Sequence, residues 1–258
     1  VDATNTKAVT KELLALATQT VAYKYRTYVV CTGETDFIAD GTLSGKLSLS
    51  TGTDGITAKD LPCYLVENKV ITKAYACDVA KGPLDSSKET IKQYKLDNQV
   101  FPLLGSGLNP ILKRQVDMIS IAGMGAYLIC EILDEHREYL RNIEVMFLQA
   151  NTNNDHLRKY LFANDWIIID EQMVKDSGHI YEVMVVTARK NKAITYSQRD
   201  EEFGPILINN QTPLFKEKWK KQYFVYKKIQ NTLSQDHPRY HEINAKMKMI
   251  KEVLHESL

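Results

Sequence analysis

The chain is short of the features that would assign it quickly. It carries four cysteines in 258 residues, Cys31, Cys63, Cys77 and Cys130, with no C-x-x-C pair among them. That spacing argues against a disulfide framework or a zinc site and fits a reducing, cytoplasmic setting. No G-x-G-x-x-G fingerprint is present, so a nicotinamide-dependent oxidoreductase is a weak reading. Gly41 to Lys46 looks like a phosphate loop, but Asp40 stands where the first glycine belongs and Leu47 follows the lysine. His237 and His241 are four apart without an evident third ligand, so no metal site is expected. The uncharged stretch Met118 to Cys130 is too short and glycine-broken for a membrane span, which needs about 18 apolar residues. No signal-peptide pattern is visible. The expectation is a cytoplasmic monomer with no membrane and no metal.

Charge is balanced overall, at +1, but unevenly placed. From Leu207 to Leu258 there are ten Lys/Arg against five Asp/Glu, a local net of +5 that leaves −4 for the first 206 residues. A basic segment on a near-neutral body is a common way to meet phosphates. A solvated helix pair with no partner is the competing explanation.

The apolar rhythm sets the architecture. Thr10 to Lys24 reads as an amphipathic helix. Thr27 to Asp60 is rich in Gly, Thr and Ser, with short β-like runs at Tyr28–Cys31, Phe37–Ala39 and Lys46–Ser50 and a turn at Thr53-Asp54-Gly55. Then strands and helices alternate. Helices are expected at Leu61–Val66, Pro83–Tyr94, Gly125–Leu133 and Asn154–Ala163. Strands are expected at Ala74–Asp78, Val100–Leu104, Val116–Ile121, Glu144–Leu148, Trp166–Val174 and His179–Ala188. Such alternation implies a mostly parallel α/β sheet with helices on both faces. The last two strands are joined only by Lys175 to Gly178, so the sheet finishes in an antiparallel hairpin. By fold analogy this is a Rossmann-like methyltransferase sheet. After residue 192 the pattern changes to two helices broken at Ser234 to Pro238. Phe215, Trp219, Tyr226, Ile229 and Leu233 mark one apolar face, and Tyr240, Ile243, Met247, Ile250 and Leu254 mark the other. The domains expected are therefore 1–192, the methyltransferase sheet, and 193–258, a linker and a basic antiparallel helical hairpin.

Open α/β sheets bind ligands at the carboxyl ends of their strands. Asp78 ends one strand, followed by Val79, and its carboxylate can accept from both ribose hydroxyls of an adenosine cofactor; helix capping explains it equally. Gly105-Ser106-Gly107 follows the next strand, where glycines allow backbone close to a flat ring and the serine can meet an adenine edge; a tight turn explains the same residues. Ala122-Gly123-Met124 leave room for a cofactor lying across the strand ends, or for close packing. Gln149 and Asn151 end a further strand, and either amide can accept from the N6 amino group of an adenine placed for methylation at N1. Asn151 can instead cap the helix that follows. On the tail, Lys218, Lys220, Lys221, Lys227, Lys228 and Arg239 are the candidate phosphate contacts.

Taken in order, these residues resemble the bacterial tRNA (adenine-22-N1)-methyltransferase family. The motifs are Leu61-Pro62-Cys63-Tyr64-Leu65-Val66, Ala76 through Pro83, Gly105-Ser106-Gly107-Leu108, Ile121 through Gly125, Leu148-Gln149-Ala150-Asn151, Ile180-Tyr181-Glu182-Val183, Phe203-Gly204-Pro205 and Lys216-x-x-Trp219. The resemblance implies methyl transfer from S-adenosylmethionine to adenine N1 in tRNA, by a Rossmann-like domain with a C-terminal helical hairpin. Family members read A-D-I-G-S-D-H-A-Y-L-P at the first strand and its cofactor loop. Here Ile38 to Gly41 begin that motif and Leu61-Pro62 end it, which makes Asp40 and Gly41 cofactor candidates, but a Ser/Thr/Gly-rich stretch lies between. Ser106, Ala126, Ala150 and Asp78 replace a usual Asn, Gly, Pro and Glu. The alternative is a non-catalytic relative of the same fold that binds RNA with an impaired cofactor loop.

Overall fold

A computed structural model describes residues 27–32, 39–42, 46–49, 60–67, 69–176, 178–188 and 195–255. The expected helix Thr10–Lys24 and the turn Thr53 to Gly55 lie outside them. The chain divides into two compact units, Val1–Ile194 and Thr195–Leu258.

The first unit is built on a seven-stranded sheet. In chain order its first elements are strand β1 (Thr27–Thr32), the short strands β2 (Ala39–Thr42) and β3 (Lys46–Leu49), and helix α1 (Asp60–Glu67). Strand β4 (Lys73–Asp78), helix α2 (Lys81–Gln93), strand β5 (Val100–Leu104) and strand β6 (Met118–Met124) follow. Helices α3 (Ala126–Glu135) and α4 (Arg137–Leu140) precede strand β7 (Val145–Ala150) and helix α5 (Asn154–Ala163). Strands β8 (Trp166–Asp176) and β9 (His179–Ala188) end the unit. The order across the sheet is β5-β4-β1-β6-β7-β9-β8. The strands from β5 to β7 in this order are parallel, while β9 runs antiparallel to both β7 and β8. The last strand is thus inserted inside the hairpin's own edge, a placement that turn length alone could not reveal. This is the Rossmann-like methyltransferase fold.

β1 sits where the strand order reverses, and its register sets the centre: Val29 lies beside Tyr75 on one side and Ile119 on the other. The run Thr27 to Thr32 is β-branched and apolar, which suits a central strand. The expected family motif at Ile38 to Gly41 is therefore not the central strand. Asp40 and Gly41 lie instead in a separate antiparallel ladder, paired with Ser48 and Leu47.

Central strands covered on both faces are buried along their length and mostly apolar, and all six residues of β7 are buried, Gln149 among them. α2 starts two residues before the expected Pro83, which occupies the first turn where no N–H partner is needed. Its Leu84, Ser87, Thr90 and Ile91 face inward. Cys63, Cys77 and Cys130 are buried, and burial pushes the Cys130 thiol up to about 11. These cysteines serve as small apolar packing groups.

One charged cluster lies in this interior. Arg158 of α5 is fully buried and donates from Nε to Glu171 of β8 at 2.8 Å and from Nη2 to Glu182 of β9 at 2.6 Å. Burial opposes its charge, but Glu182 and Glu171 more than offset that, so its pKa lies above the ordinary guanidinium value. The fork of one arginine thus ties a helix to both strands of the hairpin.

The second unit contains helices α6 (Gln198–Phe203), α7 (Leu207–Asn210), α8 (Pro213–Gln230) and α9 (Pro238–Leu254). Ser197 and Asp200 form a reciprocal capping box at the start of α6. Thr212 caps α8, and Pro213 fills its first position. Phe215, Trp219 and Tyr223 of α8 are buried, as are Ile243, Met247, Ile250, Val253 and Leu254 of α9. Gln230 bonds Asn244 and Lys251 lies over the Tyr223 ring, so contacts step back along α8 as they advance along α9. The pair is antiparallel. Its aromatic seam runs through Tyr223, which the sequence pattern passed over in favour of Tyr226.

Replacing Arg158 leaves two carboxylates in an apolar interior. Arg158→Met should lower unfolding free energy by about 3–5 kcal/mol in urea titrations. The deficit should narrow as pH falls through the carboxylate range, because protonation removes the uncompensated charge. A loss under 1 kcal/mol would show that the cluster does not hold the hairpin.

Candidate active site

The carboxyl ends of β4, β5, β6 and β7 form one edge of the sheet, and β1 lies at its switch point, the place where open α/β sheets bind ligands. Each sequence candidate in the first unit can be placed against that edge.

Asp78 is the last residue of β4 and is 7% exposed. Its Oδ1 accepts from the Ala80 N–H at 2.7 Å, and its backbone carbonyl accepts from Gly105 N–H at 2.9 Å. The carboxylate is therefore fixed by a local turn; the N-cap of α2 is Ala80, not Asp78. Two apolar side chains close to it are turned to solvent, Val79 (71% exposed), which follows it in the chain, and Leu104 (57% exposed). Leu104 pairs with Asp78 across the β4–β5 ladder. Sequence reasoning missed Leu104, although an apolar residue just before a Gly-Ser-Gly loop at a strand end was the available signal.

The loop Gly105 to Gly107 is shaped from within. A Cβ at Gly105 would meet Pro110 Cγ at 2.6 Å, so only glycine fits there. Ser106 is exposed, and its carbonyl accepts from Asn109 N–H. The structural and binding explanations of this glycine coincide, since the turn that needs it also presents the loop at the sheet edge.

At the end of β6 the ladder with β7 shifts register between Ile121 and Met124. Ala122 and Gly123 form the irregularity, and Gly123 adopts φ +79°, which a side chain would resist. Two amide side chains bond the backbone at this bulge. Gln149 Oε1 accepts from Gly123 N–H at 2.9 Å, and Asn151 Nδ2 donates to the Gly123 carbonyl at 2.9 Å. Gln149 Nε2 donates to Asn151 Oδ1 at 3.0 Å, closing a triangle of three bonds. The amide orientations are determined: reversing Gln149 would set two N–H groups against each other. Asn151 N–H also donates to the Met124 carbonyl, and Ala126 N–H to the Thr152 carbonyl, so the loops after β6 and β7 are laced together.

The two amides thus differ. Gln149 is 1% exposed with both ends of its amide engaged. Asn151 is exposed at the strand end. The competing capping role for Asn151 does not hold, because the N-cap of α5 is Asn153. Near them Tyr127 and His156, from the starts of α3 and α5, stack with ring centroids 4.1 Å apart.

The remaining candidates lie in the second unit. Lys221, Lys227 and Lys228 are exposed on α8, as is Arg239 in the first turn of α9. Lys220 is partly exposed, and the Lys218 ammonium sits 5.0 Å from the Trp219 ring centroid. Among the described residues, no group of three or more His, Cys, Asp or Glu could hold a metal ion, and no helix is long and apolar enough to cross a membrane.

A buried carboxylate close to exposed apolar side chains, a glycine loop and an amide-clamped bulge on one sheet edge suit an adenosine-containing ligand, and relatives agree. The family described as tRNA (adenine(22)-N(1))-methyltransferase matches residues 52–255. The tRNA (adenine(22)-N(1))-methyltransferase of Bacillus subtilis is 31% identical over 204 residues, covering 75% of this chain and 85% of that protein. The crystal structure of a candidate tRNA (m1A22) methyltransferase from Streptococcus pneumoniae, in complex with S-adenosyl-L-methionine, aligns with a TM-score of 0.76 at 28% identity, covering 95% of this chain and 99% of that one. A different similarity, 58% identity over 57 residues, links 22% of this chain to 11% of the thiamine biosynthetic bifunctional enzyme of Saccharomyces cerevisiae. On the match to residues 52–255 and the Bacillus subtilis relative, the chain belongs to the tRNA (adenine(22)-N(1))-methyltransferase family.

Proposed function

We propose that this chain transfers a methyl group from S-adenosylmethionine to N1 of adenine 22 in tRNA, acting as a cytoplasmic monomer. The observation that carries this reading is the buried Asp78 at the carboxyl end of β4, with exposed Val79 next to it and exposed Leu104 paired with it on β5, in a chain of this family. A carboxylate suits a ribose diol, and two apolar side chains suit the faces of an adenine ring. Gly105, Ser106 and Gly107 offer a close backbone wall beside them. When bound, S-adenosylmethionine supplies an electrophilic methyl on a positively charged sulfur.

The acceptor, adenine N1, has an in-plane lone pair and no proton. The chain's task is placement rather than proton removal. We assign that task to Asn151, which reaches the surface at the end of β7, with Gln149 acting through it and through Gly123. Gln149 is thus a positioning residue and not a contact to the base. Lys218, Lys220, Lys221, Lys227, Lys228 and Arg239 serve the phosphates of the same substrate, which makes affinity for tRNA fall with salt.

The direct test is methyl transfer to a tRNA transcript, mapped by primer extension. A stop at position 22 that disappears when A22 is changed to G supports the reading; transfer that survives the change contradicts it. Asp78→Asn keeps the acceptor for Ala80 N–H but loses the anionic charge. It should raise KM for S-adenosylmethionine by about tenfold or more, since hydrogen bonds to charged groups contribute roughly 1.5–3 kcal/mol, with little change in melting temperature. Gln149→Met removes the side-chain acceptor of the Gly123 N–H and the donor to Asn151, and should cost about 1–3 kcal/mol of stability in urea unfolding. Unchanged stability with lost methylation would instead make Gln149 a base contact.

A further inference from the structure

On α8, Phe224 is 50% exposed and Val225 is 42% exposed, although Phe215, Trp219 and Tyr223 of the same helix are buried. With 3.6 residues per turn, Phe224 falls on the face away from that buried stripe. Residues three and four positions away on a helix are its surface neighbours, with Cβ atoms roughly 5–6 Å apart. For Phe224 those four neighbours are Lys220, Lys221, Lys227 and Lys228. Lys221, Lys227 and Lys228 are exposed and Lys220 is partly exposed. The ring also meets Tyr223 edge to face, with centroids 5.5 Å apart, which braces it from the buried side.

The apolar ring inside a square of lysines puts apolar and cationic surface side by side in one patch. Lysine is depleted at protein–protein interfaces, which makes a protein partner a poor occupant. An anionic polymer with flat, apolar faces answers both halves of the patch: phosphates meet the ammonium groups, and an unstacked base meets the ring.

Resting on the tRNA-binding reading above, we propose that Phe224 is a stacking platform for an unpaired base of the RNA substrate, held in place by phosphate contacts from Lys220, Lys221, Lys227 and Lys228. The lysines give affinity that is sensitive to salt. The ring gives affinity that is not, because stacking releases no counterions.

The experiment is binding of a tRNA transcript to the full chain across a range of salt concentrations. Phe224→Ala and Phe224→Leu should each weaken binding by about five- to a hundredfold, the range expected for loss of one stacked base, without changing the slope of log affinity against log salt. Phe224→Tyr should bind like the parent. The double variant Lys221→Ala/Lys227→Ala should reduce that slope by about one per lysine. Leu at 224 binding as well as Phe would overturn the proposal, because plain apolar contact would then suffice. Unchanged binding by Phe224→Ala, beside a reduced slope in the lysine variant, would overturn it while leaving the hairpin as the RNA surface. No effect of the lysine variant would remove the hairpin from RNA binding altogether, and the stacking platform with it. Phe224-dependent binding to phosphatidylserine vesicles, with tRNA affinity unchanged, would also overturn it. Circular dichroism and melting temperature confirm that each variant is folded; the exposed position predicts no loss.

Discussion

The working edge of the sheet depends on how one bulge is satisfied. Where β6 departs from regular pairing at Ala122–Gly123, the backbone turns through a left-handed glycine whose N–H and C=O bond amide side chains from the neighbouring segment. An unpaired buried amide costs about 1–3 kcal/mol, so such a break persists only if other groups take its place. Gln149 of β7 and Asn151 just past its end are two residues apart, a spacing that puts side chains of an extended chain on the same side. That spacing lets one amide accept from Gly123 N–H while the other donates to its carbonyl, and the two bond each other. The result is a corner tied by three hydrogen bonds, where the function proposed above sets cofactor and base against each other. Rigidity is what methyl transfer to a neutral nitrogen demands, because misplacement cannot be recovered by a stronger base.

The same logic explains the buried ions. β9 enters the sheet between β7 and β8 against the parallel direction, and the hairpin must be locked to α5, the helix that follows the amide corner. Arg158, Glu171 and Glu182 do this with directional bonds from a single guanidinium. Their attraction must overcome a large desolvation cost, so their contribution is orientation more than net stability. The cluster and the corner are joined through the continuous segment from Gln149 to Arg158.

Much of this was legible in the sequence because periodicity reports burial directly. The alternation of strands and helices from Leu61 onward gave the fold class, and the short connection from Lys175 to Gly178 gave the hairpin. Element ends were less visible. Small residues at Ala122–Gly123 read as a strand-to-helix loop, whereas the strand continues through them because side chains on β7 replace the ladder. The insertion of β9, the pairing of Arg158 with two distant carboxylates, and the exposure of Leu104 are non-local facts that no window of sequence contains. Gln149 shows the limit most clearly. Its residue type and strand-end position suited a base contact, but which way its amide points depends on a bulge in the neighbouring strand. The central strand shows a different limit. The resemblance favoured Ile38 to Gly41, yet the β-branched run Thr27–Thr32 takes that place, and the family match begins only at residue 52.

Binding of the methyl donor requires that the edge built by β4 to β7 complete a cofactor site together with a central strand that precedes the family match. Calorimetric titration of the full chain with S-adenosylmethionine tests this most directly. Saturable binding in the micromolar range is the predicted result. No detectable heat of binding, from protein shown to be folded by its melting transition, would contradict the account and leave a methyltransferase fold that does not hold its methyl donor.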